Sequence, residues 1–214
     1  MQFILFNIII FGSCGKWHEL IIVIIQDIGW WLDYKIEQIF KQMKKISYFL
    51  ILFSILVFSG CNQHKKQALT FFEDGNTQVK LGNLIKAIIF YNKAIILDSS
   101  RVDYYMARAN ARLSVIDYKG SLQDFTKVIQ LDPMKAEAYL SRGEIKIYMK
   151  EFTDEAAADL IKAIQLDDKL TNAYYNLGVV KYVQHDLETA CINWKKAAQM
   201  GLTKAKVKVD TYCK

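Results

Sequence analysis

The sequence predicts an all-α protein, a solenoid of four helical hairpins with a further helix capping its C-terminal end. Three observations carry this. A set of residue types recurs at intervals of 34 or 35, the length of one two-helix unit. Small and large side chains hold fixed places within each interval. One proline and ten glycines in 214 residues leave little to break a helix. The charges, 28 Lys and Arg against 22 Asp and Glu, are scattered rather than gathered in blocks. That suits a solvated helical surface, and the export expected from the segment described next argues against a nucleic-acid partner.

Residues 1–42 hold eleven Ile and four Phe. This is the bias of AT-rich DNA translated in frame, so they are expected to be a spurious extension upstream of a true start at Met43. Met43, Lys44 and Lys45 then place positive charge before an apolar run from Ile46 to Phe58. At about 1.5 Å per residue that run is short for a hydrocarbon core of about 30 Å. Phe58-Ser59-Gly60-Cys61 follows, with the polar Asn62-Gln63-His64-Lys65-Lys66 directly after it. The ending resembles the lipobox of bacterial lipoproteins, with Phe58 where that family prefers Leu. The resemblance implies a signal peptide over 43–60, a lipidated Cys61 as first mature residue, and a short tether over 61–67. A plain membrane anchor that keeps residues 46–60 is the alternative. Asn62 in place of Asp, with no acid through Gln67, implies by the same resemblance a lipid-anchored protein of the bacterial cell envelope, on the outer membrane and facing the periplasm.

The repeats fall in four frames, 68–101, 102–135, 136–170 and 171–204. Early in each stands a large residue, Phe71, Tyr105, Tyr139 and Tyr174, and four places later a small one, Gly75, Ala109, Gly143 and Gly178. Ala87, Ser121, Ala156 and Ala190 supply a second small site, and Tyr91, Phe125, Leu160 and Trp194 a second large one. Two helices crossing at about 8–10 Å need this alternation, a small side chain at closest approach and large ones filling the groove beside it. Leu97-Asp98, Leu131-Asp132 and Leu166-Asp167 mark the unit ends, with Met200-Gly201-Leu202 in the fourth. The third frame has one extra residue near Thr153 to Glu155, which predicts a wider turn between its helices. In the fourth frame the turn falls near His185-Asp186.

Residues 203–214 predict the capping helix. Repeat arrays need a polar outer face at their ends; Lys204, Lys206 and Lys208 would supply it, with Ala205, Val207, Val209 and Tyr212 packed inward. Cys191 lies nine residues before Met200, and Cys213 ten after Thr203, arms of roughly 14 and 15 Å in helix. Antiparallel packing about Gly201-Leu202 would bring the two sulfurs level. In an oxidising compartment they form a disulfide worth about 3 kcal/mol, the alternative being two buried free thiols.

The repeat resembles the tetratricopeptide repeat, whose signature runs W-x2-L-G-x2-Y, A-x3-F, A and P at a period of 34. Leu177-Gly178 keeps the central pair in the fourth frame and Pro133 the late proline in the second. The resemblance implies a right-handed solenoid whose first helices line a concave groove for a protein or peptide. By frame the lining is Leu69, Phe72, Asn76 and Val79; Asp103, Met106, Asn110 and Leu113; Glu137, Leu140, Glu144, Ile147 and Tyr148; Asn172, Tyr175, Val179 and Tyr182. For the apolar members, packing between helices is the alternative. Family members that clamp carboxylate-ended chaperone tails use Lys, Arg and Asn on these helices. Here Asn76 survives, but Phe72, Ala107, Glu137 and Ser141 occupy the other clamp positions.

Catalytic patterns are absent from the chain. His18, His64 and His185 are isolated, and there is no H-E-x-x-H, paired C-x-x-C, G-x-S-x-G or Gly-rich phosphate loop. No enzyme activity, cofactor or metal is expected. The reading is a membrane-tethered scaffold that binds protein segments. A scaffold subunit of a periplasmic enzyme and a purely structural envelope lipoprotein are the other readings.

Overall fold

The computed structural model describes the backbone of residues 36–214 and the side chains from residue 47 onward, except those of 52 and 55–62. The expected extension over 1–42 therefore lies largely outside the described residues; of the expected signal peptide over 43–60 the backbone is described, as helix, but most side chains are not, nor is that of Cys61. The chain divides into two units, Met1–Lys66 and Gln67–Lys214, each described by itself. Helix α1 (Ile36–Lys80) runs through residues 61–67. Gln63, Lys65, Lys66 and Gln67 are good helix formers, and no proline separates them from the first repeat. Among the described residues no helix is long and apolar enough to cross a membrane.

In the second unit the end of α1 pairs with α2 (Leu84–Leu97). It is followed by α3 (Val102–Ser114) and α4 (Tyr118–Leu131), then α5 (Ala136–Tyr148) and α6 (Asp154–Leu166). Next come α7 (Thr171–Val183) and α8 (Leu187–Gln199), and α9 (Thr203–Tyr212) closes the order. From α2 onward each helix packs on the next along the chain, and α5 also meets α7, so the first helices of the third and fourth hairpins lie side by side. Among the described residues there is no strand.

The crossing within each hairpin sits where the alternation of sizes predicts. A Cβ on Gly178 would stand 2.5 Å from the Trp194 indole, one on Gly75 2.5 Å from the Tyr91 ring, and one on Gly143 2.9 Å from Leu160 Cγ. Ala109 is the methyl-bearing exception. There Ser121 Oγ donates to the Ala109 carbonyl at 2.8 Å, joining the two helices of its hairpin. Ala87, Ser121, Ala156, Ala190, Phe125, Leu160 and Trp194 are fully buried.

Both kinds of turn repeat as backbone patterns. After each first helix one residue takes a left-handed conformation: Gly82 (φ 75°), Ile116 (64°), Lys150 (61°) and His185 (63°). The following N–H reaches back five residues in the Schellman manner, Asn83 to the Gln78 carbonyl, Asp117 to Arg112, Glu151 to Lys146 and Asp186 to Lys181, at 2.8–2.9 Å. In the third repeat Glu151, Phe152 and Thr153 lie between that residue and α6, against a single residue elsewhere. The extra residue thus widens the turn as expected, and Gln184 Nε2 braces it by donating to the Phe152 carbonyl at 3.2 Å. After the second helices, Asp98, Asp132 and Asp167 are extended caps whose Oδ1 accepts the N–H two residues on, each at 3.0 Å. This is why Leu-Asp recurs.

The cap corrects part of the expectation. Ala205 is fully buried, and Tyr212 meets Tyr182 and Trp194 at ring distances of 4.8 and 5.9 Å. Val207, however, is 59% exposed, while the Lys208 ammonium lies 5.2 Å from the Tyr212 ring centre. Residues 205, 208, 209 and 212 share one helical face and 207 opposes it. Lys208 therefore lays its stem along the apolar seam that Val207 leaves. Cys191 and Cys213 are bonded, with Cα atoms 5.6 Å apart, so α9 is stapled to α8.

Candidate functional site

None of the predicted lining residues is buried, since no second helix covers that face of the first helices. Their roles divide along the array. At the N-terminal end Phe72 is wedged between the rings of Tyr91 and Tyr104, at 5.7 and 4.9 Å, and Asn76 Oδ1 accepts the Tyr91 hydroxyl at 2.8 Å. Both are committed to packing the first two repeats. Val79 is 40% exposed and Asn110 is exposed. Met106 and Leu113 lie half-covered over the core of the second repeat, as Leu140 and Ile147 do over the third and fourth. Tyr148 stacks on Tyr118 at 5.8 Å while remaining 55% exposed.

Polar groups converge towards the cap. Asn176 Nδ2 donates to Glu144 Oε1 at 2.8 Å, and the Lys204 ammonium stands 4.3 Å over the Tyr175 ring. Burial pushes the Glu144 carboxyl above its ordinary range, opposed by the Asn176 hydrogen bond and the field of Lys204. A cavity of about 350 Å³ opens at this end between Leu140, the α6–α7 turn with Asn172, and the Met200–Leu202 turn. Val179 is half-buried, and Tyr182 touches Tyr212 and Trp194, so the cap bounds this end. The arrangement offers apolar contact, an amide and a carboxylate acceptor, and a fixed cation. Among the described residues no His, Cys, Asp and Glu side chains cluster to hold a metal ion.

Sequence reasoning missed the strongest polar contacts, which lie between helices rather than on the open face. Arg108 grips Asp124 through Nε and Nη2, at 2.9 and 2.6 Å, and gives Nη1 to Asn92 Oδ1 at 2.7 Å. Arg112 adds a bond to Asp124 at 2.9 Å. One repeat later Arg142 grips Asp159 with the same two distances, and Lys146 reaches Asp159 at 3.2 Å. The hydrogen bonds to Asp159 hold Arg142 above its ordinary value against the opposing effect of burial. The signal was the 34-residue spacing of Arg108 and Arg142, matched by the 35 between Asp124 and Asp159.

No protein-family model matches the chain, and no curated protein matches it. Solved structures do. The tetratricopeptide domain of Arabidopsis OM64 is 29% identical, with a TM-score of 0.53 over 56% of this chain and 98% of that one. The fold is a tetratricopeptide-repeat array. MamA shares it at 22% identity, with a TM-score of 0.60 over 76% of this chain and 95% of that one. So does the first such domain of RPAP3, bound to the HSP90 peptide SRMEEVD, at 22% identity and a TM-score of 0.54 over 56% and 95%. In this array, starting the clamp frame one repeat later places Met106, Asn110, Ser141, Asn172 and Asn176 at the clamp positions, again without a cation.

Proposed function

We infer that this protein is a membrane-tethered scaffold that binds a protein segment along the first helices of its array, with no catalytic step of its own. One observation carries the reading. Met106, Leu140, Tyr175 and Val179 are half-covered apolar residues on the first helices of successive hairpins, and Leu140 also lines the cavity at the cap end beside the Asn172 amide, with the Asn176–Glu144 pair on the same two helices. These apolar residues fit one side of an amphipathic helix or an extended segment. RPAP3 binds its chaperone peptide on the same fold. With Phe72, Ala107, Glu137 and Ser141 where a clamp needs cations and amides, the segment bound here is not an acidic carboxylate tail. The tether is the lipid on Cys61, in the outer membrane with the array towards the periplasm.

Chemical crosslinking in intact cells, followed by capture of the tagged chain, tests this. At least one protein is expected to be lost from the Leu140→Glu/Val179→Glu variant and kept by Gln123→Ala on the opposite side. Recovery of the same proteins with both variants would sink the groove reading. Cys61→Ser is expected to abolish labelling by a fatty-acid analogue, and protease added to intact cells to leave the protein whole.

A further inference from the structure

The second helices turn one face outward, and its three central positions can be compared repeat by repeat. In α4 they are Lys119, Gln123 and Gln130; in α6, Asp154, Ala158 and Gln165; in α8, Glu188, Ile192 and Gln199; all nine are exposed. In α2 the same three positions are Ile85, Ile89 and Ile96, exposed by 62, 49 and 82%. On a helix they lie within about 40° of one another and form a single stripe. Leu81, 65% exposed in the preceding turn, extends it. Isoleucine at an exposed helical position has neither the propensity nor the solvation to recommend it three times over.

Within α2 itself the charges have one sign, with Asp98 at its C-cap the nearest acid in the chain. Residues 84–97 contain no acid, and Lys86 and Lys93 lie along one flank. Lys93 is drawn over Phe71 and Phe90, at 5.4 and 5.3 Å. Apolar centre and cationic margin are the composition of a helix that lies in a membrane interface, stripe towards the acyl chains and ammonium groups at the headgroups. The position in the chain agrees. The Ile96 end of α2 packs beside Ala68, through Ala94 and Leu97, and Cys61 is only seven residues before Ala68, at most roughly 25 Å of chain.

We propose that the outward face of α2 is a seat for an anionic phospholipid surface, so that the first hairpin lies against the bilayer and repeats two to four project from it. The tethered reading contributes only proximity. The test uses the full chain in vesicles of phosphatidylglycerol and phosphatidylethanolamine, with photoreactive p-benzoylphenylalanine at position 89, at 96, or at 123 as the outward position of the next repeat. Lipid adducts are expected at 89 and 96, several-fold above 123. In vesicles of phosphatidylcholine alone, labelling at 89 is expected to fall roughly fivefold. Equal labelling at 89, 96 and 123 would overturn the proposal, and a crosslinked dimer from 89 would assign the stripe to a second copy instead. Acylation of Cys61 is read from intact mass in the same samples, so failure of the tether and failure of the seat are separate results.

Discussion

Replacing Asp124 with Asn would test whether the buried ionic lock holds the middle of the array. The Asp124 side chain is 4% exposed and accepts from Arg108 Nε and Nη2 and from Arg112 Nη1, at 2.9, 2.6 and 2.9 Å. Asn keeps one acceptor oxygen and turns an NH2 towards a guanidinium, so the two-pronged grip on Arg108 fails. Removing one partner from a buried pair costs about 3–5 kcal/mol. Arg108 and Arg112 keep 14% and 20% of their surface in water, which places the expectation at the lower end, about 3 kcal/mol. For an array of this size that is a fall in melting temperature of about 6–12 °C. The assay is thermal unfolding followed by helical circular dichroism, with Asp103→Asn as control. Asp103 pairs with Arg101 in solvent, at 62% and 51% exposure, and its loss is expected to cost less than about 1 kcal/mol. If the two variants melt together, the lock contributes nothing net. The double variant Arg108→Met/Asp124→Leu is expected to recover much of the loss, since an apolar pair has no stranded charge to desolvate.

Gly178→Ala would drive a methyl into the Trp194 indole and is expected to cost about 1–3 kcal/mol in a urea titration. Ile116 holds a left-handed backbone that a β-branched residue adopts poorly, and its side chain is 70% exposed; Ile116→Gly is expected to raise stability by about 1 kcal/mol in the same titration. Breaking the 22-residue link with Cys191→Ala/Cys213→Ala is expected to cost about 3 kcal/mol, with exchange protection of α9 amides lost first. Burial raises the Glu144 carboxyl, so its charged form costs stability above that raised value and nothing below the ordinary 4.5. Glu144→Gln, which still accepts from Asn176, is expected to melt above the natural protein at neutral pH and to lose that margin as the pH falls through the raised value to 4.5.

The hairpins were legible because steric necessity writes them at every repeat. Gly75, Gly143 and Gly178 cannot carry a Cβ against Tyr91, Leu160 and Trp194. The ionic lock was not legible, because the first and fourth repeats carry Asp74 with Phe90 and Leu177 with Asn193 at those positions, and two instances in four make no period. Asn76 was assigned to the open face by register alone, although a buried tyrosine hydroxyl needs an acceptor and Tyr91 finds it there. In the cap, Val207 and Lys208 were sorted by polarity, and the 100° step of the helix sorts them the other way.

The left-handed turn residues are glycine, isoleucine, lysine and histidine, and the bond that closes each turn runs from amide to carbonyl. What is copied from hairpin to hairpin there is a backbone path, kept even where the side chain on it, as at Ile116, adopts it at a cost. A solenoid built this way can lose its written signature by substitution while its geometry stands, and its outward surfaces are released from any common design. One hairpin can then acquire greasy skin while its three siblings stay wetted, with no adjustment passed down the stack.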